Sequence, residues 1–197
     1  MKTKSFAIFI PLLLSALLFC SCGYNSMVTL REEVDSQWAN VESQYQRRAD
    51  LVPNLVASVK AYAKHESEIF TQISQARSEL MSGGAIDPSI TSDPEKLAAY
   101  QKAQDALGSS LSRLLAISEA YPDLKANQNF LDLQSQLEGT ENRIATERRR
   151  YNEAVKAYNA TIQRFPENIT ANMFHFSPKA YFKAAEGTEA APTVNFD

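Results

Sequence analysis

The sequence predicts an all-α protein: an antiparallel bundle of three long helices, the first kinked near Pro53, with a short helix at the C-terminal end. Apolar residues recur every three or four positions over most of the chain, whereas prolines and glycines concentrate at a few breaks. No run alternates convincingly with the period of two that a strand requires. Long amphipathic helices joined by short connections bury their apolar faces against one another, and an antiparallel bundle is the simplest such arrangement.

The first apolar stripe runs from Met27 to Leu80. Pro53 lies inside it, and proline removes a helical hydrogen bond and clashes with the preceding turn. The spacing nevertheless continues across the proline, at Val52 and Leu55. It therefore predicts one long helix with a kink rather than two helices separated by a loop.

The first break is the stretch "MSGGAIDPSITSDP", which holds two glycines and two prolines. A second helix begins directly after it, because Asp93 is a good N-cap and Pro94 suits the first helical position. Pro122 is expected to end this helix.

A third helix is predicted from about Leu124 to Phe165, where Pro166 stops it. The following "ENITANMF" is expected to form a short fourth helix. The tail, residues 183–197, offers little apolar surface to pack and is predicted to be disordered.

The N-terminal segment has the character of a secretion signal. Lys2 and Lys4 precede an apolar stretch of roughly 14 residues, from Phe6 to Phe19. A bilayer-spanning helix needs about 20 apolar residues, so this stretch falls in the range of a signal-peptide core.

The following "FCSC" resembles a bacterial lipoprotein signal, in which a small residue precedes the modified cysteine. Ser21 satisfies this before Cys22, whereas Phe19 precedes Cys20. We expect residues 1–21 to be cleaved and Cys22 to carry the lipid anchor, with several acyl chains giving a stable attachment. An uncleaved anchor helix and a soluble protein are the alternatives. The lipid-anchored domain would lie outside the cytoplasm, on the cell membrane or the outer membrane, with the periplasmic side favoured.

Charged residues interrupt the apolar stripes, at Arg48 and Glu66 on the first helix and at Glu141 and Arg148 on the third. A charge in a bundle core is costly unless it is paired. Three alternatives follow for these residues. They lie at the solvated edge of the helix–helix interface, or they form a structural network, or they bind a ligand. If the first and third helices are parallel, as an up-down-up order implies, a register with Arg48 beside Glu141 also places Glu66 beside Asn159.

Residue patterns for catalysis are missing from the sequence. His65 and His175 lie far apart, and no Glu-x-x-His pair, HExxH motif or glycine-rich phosphate loop occurs. The net charge of −3 and the lack of a basic patch argue against nucleic-acid binding. We expect a protein that is not an enzyme and that has no cofactor or metal.

Four stretches occur in order along the chain: "YNSMVTLREEVDSQWANVESQYQRRADLVPNLVASVKAYAKHE", "QARSEL", "LEGTENRIATERRRYNEAVKAYNATIQRFP" and "YF" at 181–182. Together they resemble the LemA family of membrane-anchored bacterial proteins. The resemblance covers about Tyr24 to Phe182 and implies a helical bundle, here residues 22–182, behind an N-terminal anchor. Many relatives keep a plain spanning helix, where this sequence has the lipoprotein-like "FCSC". The family supplies no catalytic residues.

Within these motifs Tyr151 and Tyr158 fall on the third stripe one heptad apart, so core packing is their expected role. Asn152 and Asn159 follow at the edge of the seam, where an amide can bond across helices. The candidate polar network or ligand layer consists of Arg48, Glu66, Glu141, Asn142, Arg148, Asn152 and Asn159.

Two functions fit these expectations. The first is an envelope-anchored, non-enzymatic helical module for protein interaction or scaffolding, with a protein partner of unknown identity. The second is a sensor-like bundle that binds a small ligand at the polar layer between the helices.

Overall fold

A computed structural model describes the backbone of residues 2–82 and 89–183 and the side chains of residues 23–80 and 89–183. The predicted tail beyond residue 183 and the side chain of Cys22 lie outside these ranges. Among the residues that the structure describes, no helix is both long and apolar enough to cross a membrane.

The described residues form six α-helices and one 3-10 turn, and none of them forms a strand, which confirms the all-α prediction. The elements are α1 (Lys2–Tyr62), α2 (Ser67–Ser82), the 3-10 turn (Ile90–Ser92), α3 (Pro94–Ser118), α4 (Pro122–Lys125), α5 (Gln128–Gln163) and α6 (Glu167–Met173).

Helix α1 passes through Pro53 without interruption, as the apolar spacing predicts. It ends at Tyr62, however, so the expectation of one helix as far as Leu80 is wrong. In the sequence the stripe continues from Tyr62 to Ile69, seven residues or about two helical turns later. Apolar periodicity therefore gave no sign of the break. The second part of the stripe belongs to α2, which packs against α3.

Helices α1 and α5 pack along each other in opposite directions. Asn127 at the start of α5 donates a hydrogen bond to the Tyr62 hydroxyl at the end of α1, and Arg48, 14 residues before Tyr62, meets Glu141, 14 residues after Asn127. This corrects the parallel register. The separate helix α2 adds one reversal of the chain, so α5 runs against α1 rather than with it.

The helix starts depend on side-chain caps. The Asp93 carboxylate accepts hydrogen bonds from the amides of Glu95 and Lys96, which confirms the predicted start of α3. Asn127 caps the amide of Phe130 in the same way, so α5 begins at Gln128. The predicted third helix therefore starts later than Leu124, which lies in the short helix α4. The predicted short fourth helix is confirmed as α6.

Among the described side chains, two apolar clusters fill the bundle. The first includes Trp38 and Tyr45 of α1 together with Ile144 and later residues of α5. The second includes Val52 and later residues of α1 together with Leu137 and earlier residues of α5. Arg48 and Glu141 lie in the gap between the two clusters along their helices.

Candidate functional site

Arg48 of α1 is the centre of the polar layer and is 2% exposed. Its Nη1 donates to both carboxylate oxygens of Glu141, at 3.0 and 3.2 Å. Its Nη2 donates to the backbone carbonyl of Gln104 at 2.9 Å and also to the side-chain oxygen of that residue. The Glu141 side chain is 41% exposed. One guanidinium thus ties α1 to both α3 and α5.

Gly108 makes this approach to α3 possible. A helical side chain lies over the turn N-terminal to its own Cα, so residue 108 stands where it would cover the carbonyl of Gln104. A Cβ at Gly108 would lie 3.3 Å from Arg48 Nη1, which is tighter than ordinary van der Waals contact. The missing side chain leaves the carbonyl open to the guanidinium.

Arg148 of α5 forms the second half of the layer. Its Nε donates to the Tyr45 hydroxyl at 2.6 Å, and its Nη2 donates to Asp105 of α3 at 2.8 Å. Its guanidinium also lies over the rings of Tyr45 and Phe182, at 5.4 and 5.2 Å from their centroids. The buried Arg48 and the partly buried Arg148 therefore each meet an acidic partner and an aromatic ring.

Burial raises the pKa of Tyr45 to about 12, although the neighbouring Arg148 and Arg48 guanidinium groups act in the opposite direction. Burial also raises the pKa of Tyr100, whose hydroxyl accepts a hydrogen bond from Gln104 at 2.9 Å. Both phenols are neutral at physiological pH. The layer therefore offers neither a phenolate nucleophile nor an unpaired acid for chemistry.

Two asparagines of α5 hold an extended segment, residues 176–183, against the bundle. Asn159 donates to the carbonyl of Lys179 and accepts from its amide, both at 2.9 Å. Asn152 does the same with Phe182, at 3.0 and 2.9 Å. Each carboxamide thus makes, with one residue of the segment, the two hydrogen bonds that the backbone of a neighbouring β-strand would make.

A side-chain amide of helix α3 makes a third such pair of hydrogen bonds to one residue of the segment, and we call each of these pairs a clasp. Gln101 donates to the carbonyl of Lys183 at 2.8 Å and accepts from its amide at 3.2 Å. The amide of Ala180 donates to the carbonyl of Thr91 in the 3-10 turn at 2.8 Å. The segment is therefore bound through its backbone from two sides.

Two buried tyrosines complete these contacts, because Tyr151 donates to the carbonyl of Ala180 and Tyr158 to that of Ser177, each at 3.0 Å. The Tyr-Asn pairs of α5 are seven residues apart, which is about 10.5 Å along a helix. Three extended residues span about 10 Å, so each heptad of α5 meets three residues of the segment. The repeated "YN" of α5 thus provides regularly spaced hydrogen-bonding groups that bind the backbone of the extended segment.

The family model of the LemA family matches residues 37–196 of the sequence. The chain belongs to the LemA family. It is 32% identical over 176 residues to magnetosome protein MamQ 2 of Paramagnetospirillum magneticum, covering 81% of this chain and 64% of that protein. Magnetosome protein MamQ of Magnetospirillum gryphiswaldense is 30% identical over 175 residues, with the same coverage. Protein LemA of Metamycoplasma hominis is 26% identical over 182 residues, covering 92% of this chain and 78% of that protein. The chain thus spans less than two thirds of the length of the magnetosome relatives.

The structure of this LemA-family chain separates the predicted site residues into different places. Arg48, Glu141 and Arg148 share the polar layer. Glu66 lies outside it, in the turn between α1 and α2, and is not beside Asn159. Rather than bonding across helices, Asn159 binds the extended segment, as Asn152 does.

Sequence reasoning missed the contribution of α3. Gln101 and Gln104 are buried, and they fall at helical spacing between Leu97 and Leu107 of the apolar stripe. A polar residue that keeps the phase of a stripe is the signal that identifies them. Nothing in the composition of residues 176–183 indicates that the segment is bound.

A cleft of about 310 Å³ opens between α3 and α5, next to the polar layer. Glu141 and Asn142 lie on its α5 side, and Gly108 and Leu111 lie on its α3 side. The exposed part of the Glu141 carboxylate therefore borders a recess that can receive a group from outside.

Proposed function

We propose that the chain is an envelope-anchored helical module that contacts another protein and does not convert a substrate. The observation that carries this proposal is the pairing within the polar layer. The guanidinium groups of Arg48 and Arg148 are each paired with a carboxylate, that of Glu141 and that of Asp105 respectively. Paired charges of this kind fix the register of a bundle and leave little for catalysis.

Membrane attachment through the N-terminal segment is the second part of the proposal. The apolar stretch Phe6–Phe19 and the small residues around Cys22 support a lipid anchor, with an uncleaved helix as the alternative. The chain would then lie on the outer face of the cell membrane or on the outer membrane, facing the periplasm. The relatives named as magnetosome proteins are consistent with an attachment to membranes.

The cleft beside Glu141 is the proposed contact surface for the partner. The Glu141 side of the polar layer reaches solvent there, and Leu111 and Leu137 provide apolar walls next to the carboxylate. A partner side chain with an apolar stem and a cationic tip, such as lysine or arginine, fits this combination.

Site-specific photocrosslinking in membranes tests the contact. A photoreactive amino acid replaces Asn142 in the cleft, and a matched control carries it at the exposed Glu33 of α1. We expect one discrete adduct from position 142, its loss on adding Glu141→Ala, and no such adduct from position 33. Equal adducts from both positions would contradict a contact at the cleft.

The cleft also favours a second function, the binding of a small cationic ligand by Glu141. Its volume of about 310 Å³ lies at the lower end of ligand pockets. Native mass spectrometry of the purified full chain distinguishes the two functions. A small bound mass that disappears in Glu141→Ala supports the ligand, and a protein that carries no such mass counts against it.

A further inference from the structure

An apolar surface lies exposed at one end of the bundle. It consists of Tyr24, among the first side chains described on α1, Phe165 in the turn after α5, Ile169 and Met173 of α6, and Phe174. Phe165 is 75%, Ile169 56% and Met173 57% exposed. We call these five residues the α6 surface.

Helix α6 turns one face to the bundle and the other to the outside. Thr170 and Ala171 are buried, whereas Ile169 and Met173, one helical turn apart, point away. The ring of Tyr24 packs edge-on against Phe174, with centroids 4.8 Å apart. The α6 surface is therefore continuous across α1 and α6.

This surface lies next to the anchor. The apolar stretch of the N-terminal segment ends at Phe19, and Tyr24 follows five residues later in the same helix. At a rise of 1.5 Å per residue the two are about 7.5 Å apart along the helix axis. The headgroup layer on each side of a bilayer is about 5–7 Å thick. Tyr24 therefore reaches the edge of that layer if the helix is uncleaved. If Cys22 carries the lipid instead, Tyr24 follows the anchor by only two residues.

We propose that the α6 surface rests in the headgroup layer of the membrane that holds the N-terminal segment. Aromatic residues favour this layer, and an apolar face can enter it by several ångströms without spanning the bilayer. The remaining large exposed side chains support the choice of this end. Leu131 and Tyr62 lie far along the bundle, at the start of α5 and the end of α1, away from the anchor. Tyr181 lies in the segment 176–183, next to Phe182, whose ring stacks on Trp38 of α1. The inference rests on the proposed membrane attachment.

Quenching by brominated lipid tests the inference. The full chain is reconstituted into phosphatidylcholine vesicles whose acyl chains carry bromine close to the headgroup. Ile169→Trp places a reporter on the α6 surface, and Leu131→Trp is the matched control at the far end. Trp38 is buried and gives both variants the same background. We expect loss of the added emission in Ile169→Trp and none in Leu131→Trp.

The outcomes are separated by flotation of the same vesicles. If the chain floats with the vesicles and both reporters keep their emission, the α6 surface does not rest on lipid and the inference is overturned, while the anchor stands. If the chain does not float, the membrane attachment itself fails. If Ile169→Trp keeps its emission and crosslinks to a second copy, that copy covers the surface and the inference is also overturned.

Discussion

Gly108 of α3 faces the guanidinium of Arg48 so closely that a Cβ on the glycine would lie 3.3 Å from Nη1. The guanidinium cannot easily move away, because Glu141 and Gln104 hold it from two directions. The absence of one methyl group on α3 therefore helps α1 to bind both of its neighbours.

We predict that Gly108→Ala does not bring the usual gain of an alanine in a helix. That gain is about 0.5–1 kcal/mol, and crowding of Arg48 should cancel or reverse it. Gly139 on α5 is the matched control, since a Cβ there meets nothing within 4 Å. Chemical denaturation should show Gly139→Ala stabilised and Gly108→Ala less stable than it. Equal gains in the two variants would mean that Arg48 has room to yield.

The pairing of Arg48 with Glu141 is tested by a double-mutant cycle. Arg48→Ala should lower the free energy of unfolding by about 2–4 kcal/mol, because it empties a buried position and leaves Gln104 without its donor. Glu141→Ala should cost about 1–2 kcal/mol, since this carboxylate is half exposed and Arg48 keeps Gln104. The double variant should lose less than the sum of the two. Strictly additive losses would exclude an energetic coupling between the residues.

The asparagine clasps are tested by hydrogen exchange. Asn159→Ala removes the acceptor of the Lys179 amide, so exchange of that amide should become faster. Asn152→Ala should act in the same way on the amide of Phe182. Each variant is the control for the other, with the larger effect expected at its own partner. Unchanged exchange at Lys179 in Asn159→Ala would show that other contacts hold the segment.

Tyr45 predicts a loss of stability in alkali. Its pKa rises from 10.0 to about 12 in the folded chain, mainly through burial. Below pH 10 the phenol is protonated in both states and its contribution is fully present. As the pH rises towards 12, the unfolded chain releases the proton first, so the free energy of unfolding falls. The full effect is about 2–3 kcal/mol.

Denaturation of the wild type and of Tyr45→Phe between pH 9.5 and roughly 11.5 measures this contribution. The variant should show a shallower fall, although it loses the bond from Arg148 at every pH. Parallel curves for the two proteins would assign the alkaline loss to other tyrosines, among which Tyr100, Tyr151 and Tyr158 also have raised pKa values through burial.

The sequence predicts the helices well because burial of one helical face imposes a period that can be counted. It does not predict direction, since the same period is found whichever way a helix runs. The hypothesis that placed Arg48 beside Glu141 assumed parallel helices, yet the two residues meet in an antiparallel pair. Its second consequence, Glu66 beside Asn159, depended on the direction and is wrong. A pairing at one point on two helices is independent of their direction, whereas every further pairing depends on it.

The extended segment was beyond prediction for a related reason. Residues of α5 bind backbone groups of the segment about 20 to 30 positions later. Every residue has these backbone groups, so the amino-acid composition of the segment does not reveal the contacts. Only α5 contributes side chains to these contacts, namely those of Tyr151-Asn152 and Tyr158-Asn159. The repeat suggested core packing for the tyrosines, which are buried, but it did not reveal what the hydroxyls and amides would hold.

The uninterrupted course of α1 sets how far the domain reaches. From Tyr24 to Tyr62 the helix rises about 57 Å, and from Tyr24 to Arg48 about 36 Å. With the α6 surface on the lipid and α1 upright, the cleft beside Glu141 stands well above the headgroups. A partner that binds the cleft would then have to extend that far from the bilayer. This favours a protein with a substantial domain outside the bilayer over one confined to the membrane.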